Sequence, residues 1–194
     1  MKKLAIRFMF FVLACMFVAI TVVSAATKPS VEEQREEIRE LSKTTLSKLY
    51  EKYPSAERVI NGCYGYATLS NSGLKLLFVS AGHGRGVAYN NQTGEEVFMK
   101  MKEIGAGLGA GAKEYDLIFV FDDEIAWNNF LSGKLKMSGQ VNATATDGQA
   151  GGAIEGATLA SRGIWVYQMT TKGLSIEATL NGTKYFTDKK LNKN

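Results

Sequence analysis

Residues 82–86 read Gly-His-Gly-Arg-Gly, and residues 105–111 read Gly-Ala-Gly-Leu-Gly-Ala-Gly. Side chains alternate between the two faces of a strand, so glycine at every second position predicts strands with one bare face. Glycine weakens a strand, and such a row indicates that another chain segment or a ligand approaches the backbone, or that the sheet bends tightly. We therefore predict close packing at Gly105, Gly107, Gly109 and Gly111.

These glycines do not fit the fingerprint of a dinucleotide-binding loop. That fingerprint requires G-x-G-x-x-G at the opening of a helix. After Gly105 and Gly107 the third glycine would fall at position 110, where the chain has Ala110. The spacing favours a strand over a phosphate-binding loop.

The central part of the chain predicts a mostly antiparallel sheet of about eight to ten short strands, with a barrel-like or a sandwich-like arrangement left open. Turn residues at 70–73 and 91–94 separate apolar segments and indicate two hairpins, 63–69 with 74–80 and 87–90 with 95–101. Residues 115–121 are apolar at nearly every position, which predicts a central strand buried on both faces. Further strands are predicted at 104–112, 134–146, 163–169 and 174–180. The Gly- and Ala-rich residues 147–162 favour a loop over a glycine-rich helix.

Two helices of substantial length complete the predicted α+β fold. The first begins at Pro29-Ser30 and places Val31, Ile38, Leu41 and Leu49 on one side, opposite an acid-rich side. A short helix at 54–60 follows it. The second begins at Asp122, which we expect to cap it, and is ended by Gly133.

The N-terminus resembles a secretory signal over residues 1–26. Three basic residues precede the apolar run 8–23, and small residues follow at 23–26. We therefore expect an exported protein that is periplasmic or envelope-associated, with a helical segment at 27–55 and an α+β domain at 56–194. An uncleaved membrane anchor and a lipoprotein modified at Cys15 are the alternatives.

The basic residues of this signal account for most of the formal net charge of +4. Without them the chain is nearly neutral, which argues against nucleic-acid binding because that needs a concentrated basic face. Cys63 is then the single cysteine of the mature chain. We expect it to be a buried core residue, with a reactive thiol as the alternative.

Catalytic chemistry has little support in this sequence. The one histidine is His83, no His/Cys cluster has metal-ligand spacing, and we expect neither a metal nor a cofactor. The acidic residues Asp122, Asp123 and Glu124 favour a helix cap over a carboxylate site.

One group of residues is suited to binding an anion. His83 and Arg85 alternate with Gly82, Gly84 and Gly86, so both side chains leave the same face of the strand. We predict that these five residues bind a lipid headgroup or another anion. The alternative is a tight hairpin end whose polar side chains face solvent.

The order of several motifs between Ala56 and Leu191 resembles the SYLF domain family, a lipid-binding domain related to yeast actin-binding proteins. The resemblance is to its exported bacterial members, and it rests on Gly65-Tyr66-Ala67, Gly82-His83-Gly84-Arg85-Gly86-Val87, Phe119-Val120-Phe121-Asp122, Phe130-Leu131-Ser132-Gly133, Ser138-Gly139-Gln140-Val141, Lys172-Gly173-Leu174 and Leu180-Asn181-Gly182-Thr183-Lys184-Tyr185.

The resemblance implies a compact α+β domain without a cofactor, which binds phospholipid or a membrane surface. Eukaryotic relatives bind phosphoinositides through a basic amphipathic N-terminal segment, and some bind actin. This chain departs from that pattern because its first helix is acid-rich and its signal directs it away from actin. We therefore expect a non-enzymatic phospholipid-binding or envelope-associated protein. The alternative is a structural or protein-partner module that self-associates, for which an open sheet edge near 148–156 would be suitable.

Overall fold

The computed structural model describes residues 29–71, 83–103, 114–133, 154–170, 176–181 and 183–193. Its helices and strands belong to one compact unit, Val31–Asn194. The described helices are α1 (Val31–Lys52), α2 (Ala56–Gly62), α3 (Glu124–Leu131) and α4 (Ile176–Asn181). The described strands are β1 (Gly65–Ser70), β2 (His83–Asn90), β3 (Glu96–Glu103), β4 (Tyr115–Phe121), β5 (Thr158–Ser161), β6 (Ile164–Thr170) and β7 (Thr183–Thr187).

The seven strands form one curled sheet in the order β5-β6-β4-β1-β2-β3-β7. Every neighbouring pair is antiparallel. The predicted α+β class with a mostly antiparallel sheet is confirmed. So is the predicted hairpin around Asn91 and Gly94, which joins β2 to β3 with Tyr89 opposite Glu96.

Strand β4 lies in the interior of the sheet, and all seven of its residues are buried. Phe119 and Phe121 contact α3 on one face, where they meet the ring of Phe130. Ile118 and Val120 pack on the other face, in a cluster with residues of α1 and α2. A continuous apolar strand is therefore buried on both faces because helices cover both sides of the sheet.

Helix α1 crosses the strands along one row of paired residues. Ile38 packs with Val87 of β2 and Phe98 of β3, and further along the helix the hydroxyl of Thr68 in β1 hydrogen-bonds Ser42 at 2.8 Å. The predicted apolar side of this helix is confirmed, since Ile38, Leu41 and Leu49 are buried.

Three sequence predictions need correction. Residues 147–162 were expected to form a loop, but Thr158–Ser161 within them is strand β5, which pairs with β6. Residues 174–180 were expected to form a strand, but Ile176–Asn181 is a helix. Ile176 and Leu180 lie four residues apart and both pack in the main core, so the apolar pattern suits one helical face as well as a strand.

The cap of α3 is Asp123 and not Asp122. The Asp123 carboxylate accepts a 2.8 Å hydrogen bond from the Ala126 amide, whereas Asp122 accepts one from the Trp165 indole at 3.1 Å. Gly133 has φ +68° just beyond the helix, which confirms it as the terminating residue. The predictions for 1–28, 72–82, 104–113, 134–153 and 171–175 lie outside the described residues.

Candidate functional site

His83 and Arg85 lie at the start of β2 and share its outward face, the same face from which Val87 packs beneath α1. His83 is exposed and Arg85 is half-buried. Gly84 and Gly86 alternate with these two residues and face the main core, as Ala88 does further along the strand.

Gly84 and Gly86 are positions of close approach. A Cβ atom at Gly84 would collide with the Met101 side chain, and one at Gly86 would collide with the Thr68 carbonyl oxygen and with Leu69 Cα. Both glycines thus allow β2 to pack tightly on its neighbours. Gly82 and the predicted row Gly105, Gly107, Gly109 and Gly111 lie outside the described residues.

The sheet register brings three lysines beside His83 and Arg85. His83 lies opposite Lys102 of β3, which lies opposite Lys184 of β7. The next row runs from Arg85 through Lys100 to Phe186. We call His83, Arg85, Lys100, Lys102 and Lys184 the basic strip.

Most of the positive charge of the basic strip is not neutralised by described residues. The Arg85 guanidinium donates to Gln34 Oε1 at 3.2 Å, and this amide of α1 carries no charge. Lys100 forms an ion pair with the buried carboxylate of Asp188, with 2.9 Å between Nζ and Oδ1. Within the described part of the chain no carboxylate lies within ion-pair distance of Arg85, Lys102 or Lys184.

The positive charges of the basic strip repel one another, and a bound anion would reduce this repulsion. Side chains directly opposite each other in an antiparallel pair have Cβ atoms about 4.5–5.5 Å apart, and like charges there destabilise the sheet. Lys102 and Lys184 form such a pair, and both are exposed. The basic strip is therefore suited to several anionic oxygens at once, as phosphate groups supply.

A concave region with a volume of about 680 Å³ is lined by Phe98 together with residues of α1 and of the C-terminal segment. The guanidinium groups of Arg35 and Arg39 stack over the Phe98 ring, and carboxylates of Glu32, Glu36 and Glu96 pair with them. Arg35 also donates to the carbonyl oxygens of Leu191 and Lys193. These contacts join α1 to the C-terminal segment and leave little uncompensated charge.

Cys63 is buried, as predicted. Its thiol lies within hydrogen-bond distance of the carbonyl oxygens of Ile60 and Gly65, and burial raises its pKa to about 11. A thiol that stays protonated at neutral pH is a poor nucleophile. Across the residues that the structure describes, no group of His, Cys, Asp and Glu could hold a metal ion.

Sequence reasoning identified His83 and Arg85 but missed the lysines and Phe186. The register of the hairpin could have supplied Lys100 and Lys102, because Tyr89 opposite Glu96 also sets Arg85 opposite Lys100. Lys184 and Phe186 join through pairing of β3 with β7, which are far apart in the sequence. No local signal indicates that pairing.

None of the helices in the described ranges combines the length and the apolar character needed to cross a bilayer.

The amino-acid sequence matches a protein-family model and a curated protein. Residues 102–194, which include Lys102, Lys184 and Phe186, match the family model described as "Ysc84: Las17-binding protein actin regulator". Beta cell expansion factor A from Aeromonas veronii is 30% identical over 165 residues, which cover 84% of this chain and 60% of that relative. The matched part of the chain thus spans 60% of the length of this curated relative, which is less than two thirds. These matches show that residues 102–194 belong to the Ysc84, or SYLF, domain family.

Proposed function

We propose that this chain is a non-enzymatic binding protein that attaches to anionic phospholipid surfaces through the basic strip. The observation that carries the proposal is the pair of cross-strand rows, in which Arg85, Lys102 and Lys184 keep positive charges that no described carboxylate neutralises. The description of the matched family names binding and regulation of proteins and no reaction, which agrees with a binding role.

The shape of the basic strip favours a surface over a single small anion. Neighbouring strands lie about 4.8 Å apart, so three strands spread the cations over about 10 Å of one face of the sheet. That spread suits several headgroups side by side. Each Lys or Arg near an anionic leaflet contributes about 1 kcal/mol, and this attraction weakens with salt.

We further propose that the protein is exported, as its basic, apolar and small-residue N-terminus indicates. Intact mass of the protein purified from the producing cell tests this. A mature chain beginning at Ala26 or Thr27 would support export after cleavage. Retention of residues 1–25 would contradict cleavage, and a lipid-modified Cys15 would show that the protein is exported as a lipoprotein instead.

Vesicle flotation tests the lipid proposal. We expect binding to vesicles of phosphatidylcholine with phosphatidylglycerol at low salt, and none to phosphatidylcholine alone. The variant K102E/K184E should bind at least ~10-fold more weakly, because each reversal replaces attraction by repulsion. The matched control K189E/K190E makes the same charge change at two exposed lysines outside the strip. Equal loss in both variants would indicate diffuse electrostatics and would contradict a defined site.

A protein-partner role is the second candidate, because the matched family description names a Las17-binding protein. If the parent protein does not bind anionic vesicles, the lipid proposal is wrong. Native mass spectrometry of the protein from its own envelope then distinguishes a discrete oligomer or a bound protein from a retained lipid.

A further inference from the structure

We infer that Phe186 inserts its ring into the headgroup region of the bilayer when the basic strip binds, so that attachment is partly apolar. This inference rests on the proposed function and assigns a role to a residue outside the basic strip. The partner is an anionic phospholipid bilayer, and the contact is one aromatic ring flanked by lysine ammonium groups.

Phe186 lies next to the basic strip and is accessible to a membrane surface. It lies on the outward face of β7, directly opposite Lys100 and two residues beyond Lys184. Its side chain remains 40% exposed. Aromatic rings are favoured at the boundary between headgroups and hydrocarbon, and the ammonium group of Lys184, two residues away, would hold this ring against an anionic leaflet.

Hydrogen bonds and an ion pair fix the backbone next to Phe186. The Asp188 amide donates to the Phe98 carbonyl oxygen at 2.8 Å, and the Asp188 carboxylate pairs with Lys100. Asn192 accepts from the Phe98 amide and donates to its carbonyl oxygen, both at 2.8 Å. The end of β7 is thus fixed to β3, so little ordering is needed when the ring enters lipid.

Exposure alone would not single out Phe186. Among the described residues the other exposed large apolar side chain is Ile125, which is 71% exposed at the start of α3. Ile125 follows Asp122, Asp123 and Glu124, and these carboxylates would be repelled by an anionic leaflet. The two residues also lie on opposite sides of the sheet, since α3 packs on the main-core face beside Tyr185, whereas Phe186 lies on the outward face of β7.

Fluorescence quenching by brominated lipids in the bilayer tests the insertion. We would prepare F186W and the matched control I125W, and subtract the emission of the parent protein, whose Trp127 and Trp165 are buried. We expect a blue shift and quenching of the new tryptophan in F186W alone. We also expect F186A to lower the vesicle partition coefficient about fivefold, while I125A leaves it unchanged.

The outcomes separate this inference from the proposed function. If the parent protein binds anionic vesicles, but F186W is not quenched and F186A binds as the parent does, insertion is wrong and surface attachment stands. If the parent protein binds no anionic vesicles, both the proposed function and the insertion are wrong. Thermal melts of all four variants show that folding is retained, since both positions are exposed.

Discussion

Among the glycines that the structure describes, Gly86 leaves the least room for a side chain. A methyl group there would meet backbone atoms of β1, the Thr68 carbonyl oxygen and Leu69 Cα, and backbone cannot rotate away as a side-chain tip can. We expect Gly86→Ala to lower the free energy of unfolding by about 2–3 kcal/mol, the upper range for overpacking. Urea unfolding monitored by circular dichroism measures this.

Gly62 is the matched control for that substitution. It ends α2, and a Cβ atom there would meet nothing within 4 Å. Gly62→Ala should therefore leave stability unchanged or raise it by up to about 1 kcal/mol, since alanine is the better helix former. Equal stability of the two variants would show that β1 and β2 leave room for a methyl group at position 86.

Lys102 offers a test in which stability and binding should change in opposite directions. It lies between His83 and Lys184 across the sheet, so Lys102→Glu replaces a like-charge neighbour by an opposite one. We expect the free energy of unfolding to rise by about 0.5–1 kcal/mol and vesicle affinity to fall. Urea unfolding and flotation of the same preparation check both quantities. A loss of stability together with binding would indicate a structural role for Lys102.

At the scale of the element, α1 contacts the sheet through polar as well as apolar groups. Gln34, Ser42 and Thr45 are buried beneath it, beside the apolar side that its sequence predicts. Ser42 has the Thr68 hydroxyl as its partner, but the buried Thr45 hydroxyl has no hydrogen-bond partner in the described structure. An unsatisfied buried hydroxyl costs stability.

We therefore expect Thr45→Val to stabilise the protein by about 1 kcal/mol, because valine keeps the shape and removes the unpaired hydroxyl. The adjacent Thr44→Val is the control, since Thr44 is exposed and its hydroxyl donates to the Glu40 carbonyl oxygen. It should change stability by less than about 0.5 kcal/mol. Differential scanning calorimetry compares the two variants, and a destabilised Thr45→Val would show that the hydroxyl is satisfied in solution.

At the scale of the whole molecule, burial determines how the protein responds to alkaline pH. Desolvation raises the pKa of Cys63 to about 11 and the pKa values of Tyr66 and Tyr167 to about 12. It also raises the pKa of Tyr185. The folded state therefore keeps protons that the unfolded chain loses above its ordinary thiol and phenol pKa values. The stability that these groups contribute is fully present below about pH 8 and is lost as the pH rises.

We expect the free energy of unfolding to fall by about 2–4 kcal/mol between pH 8 and pH 10.5. Urea unfolding under reducing conditions measures this change. Cys63→Ala should be less stable at pH 8 but should lose less stability over this interval, because the earliest-titrating group is gone. A parent protein whose stability is independent of pH over that range would contradict burial of these groups.

The sequence by itself determined the features that depend on neighbours along the chain. The continuous apolar run Tyr115–Phe121 predicted a central strand, and the turn between Asn90 and Glu95 predicted the hairpin of β2 and β3. The alternation of His83 and Arg85 on one face followed from strand geometry alone. These features follow from side-chain period and turn chemistry, which act over a few residues.

Only the tertiary structure decided the features that depend on distant partners. Residues 176–181 form a helix because Ile176 and Leu180 pack together in the main core, although their spacing also fits a strand. Lys184 belongs to the basic strip, and Phe186 lies beside it, only because β7 pairs with β3. Pairing between strands so far apart in the sequence is determined by the packing of the whole sheet. The local sequence pattern does not specify which strands pair.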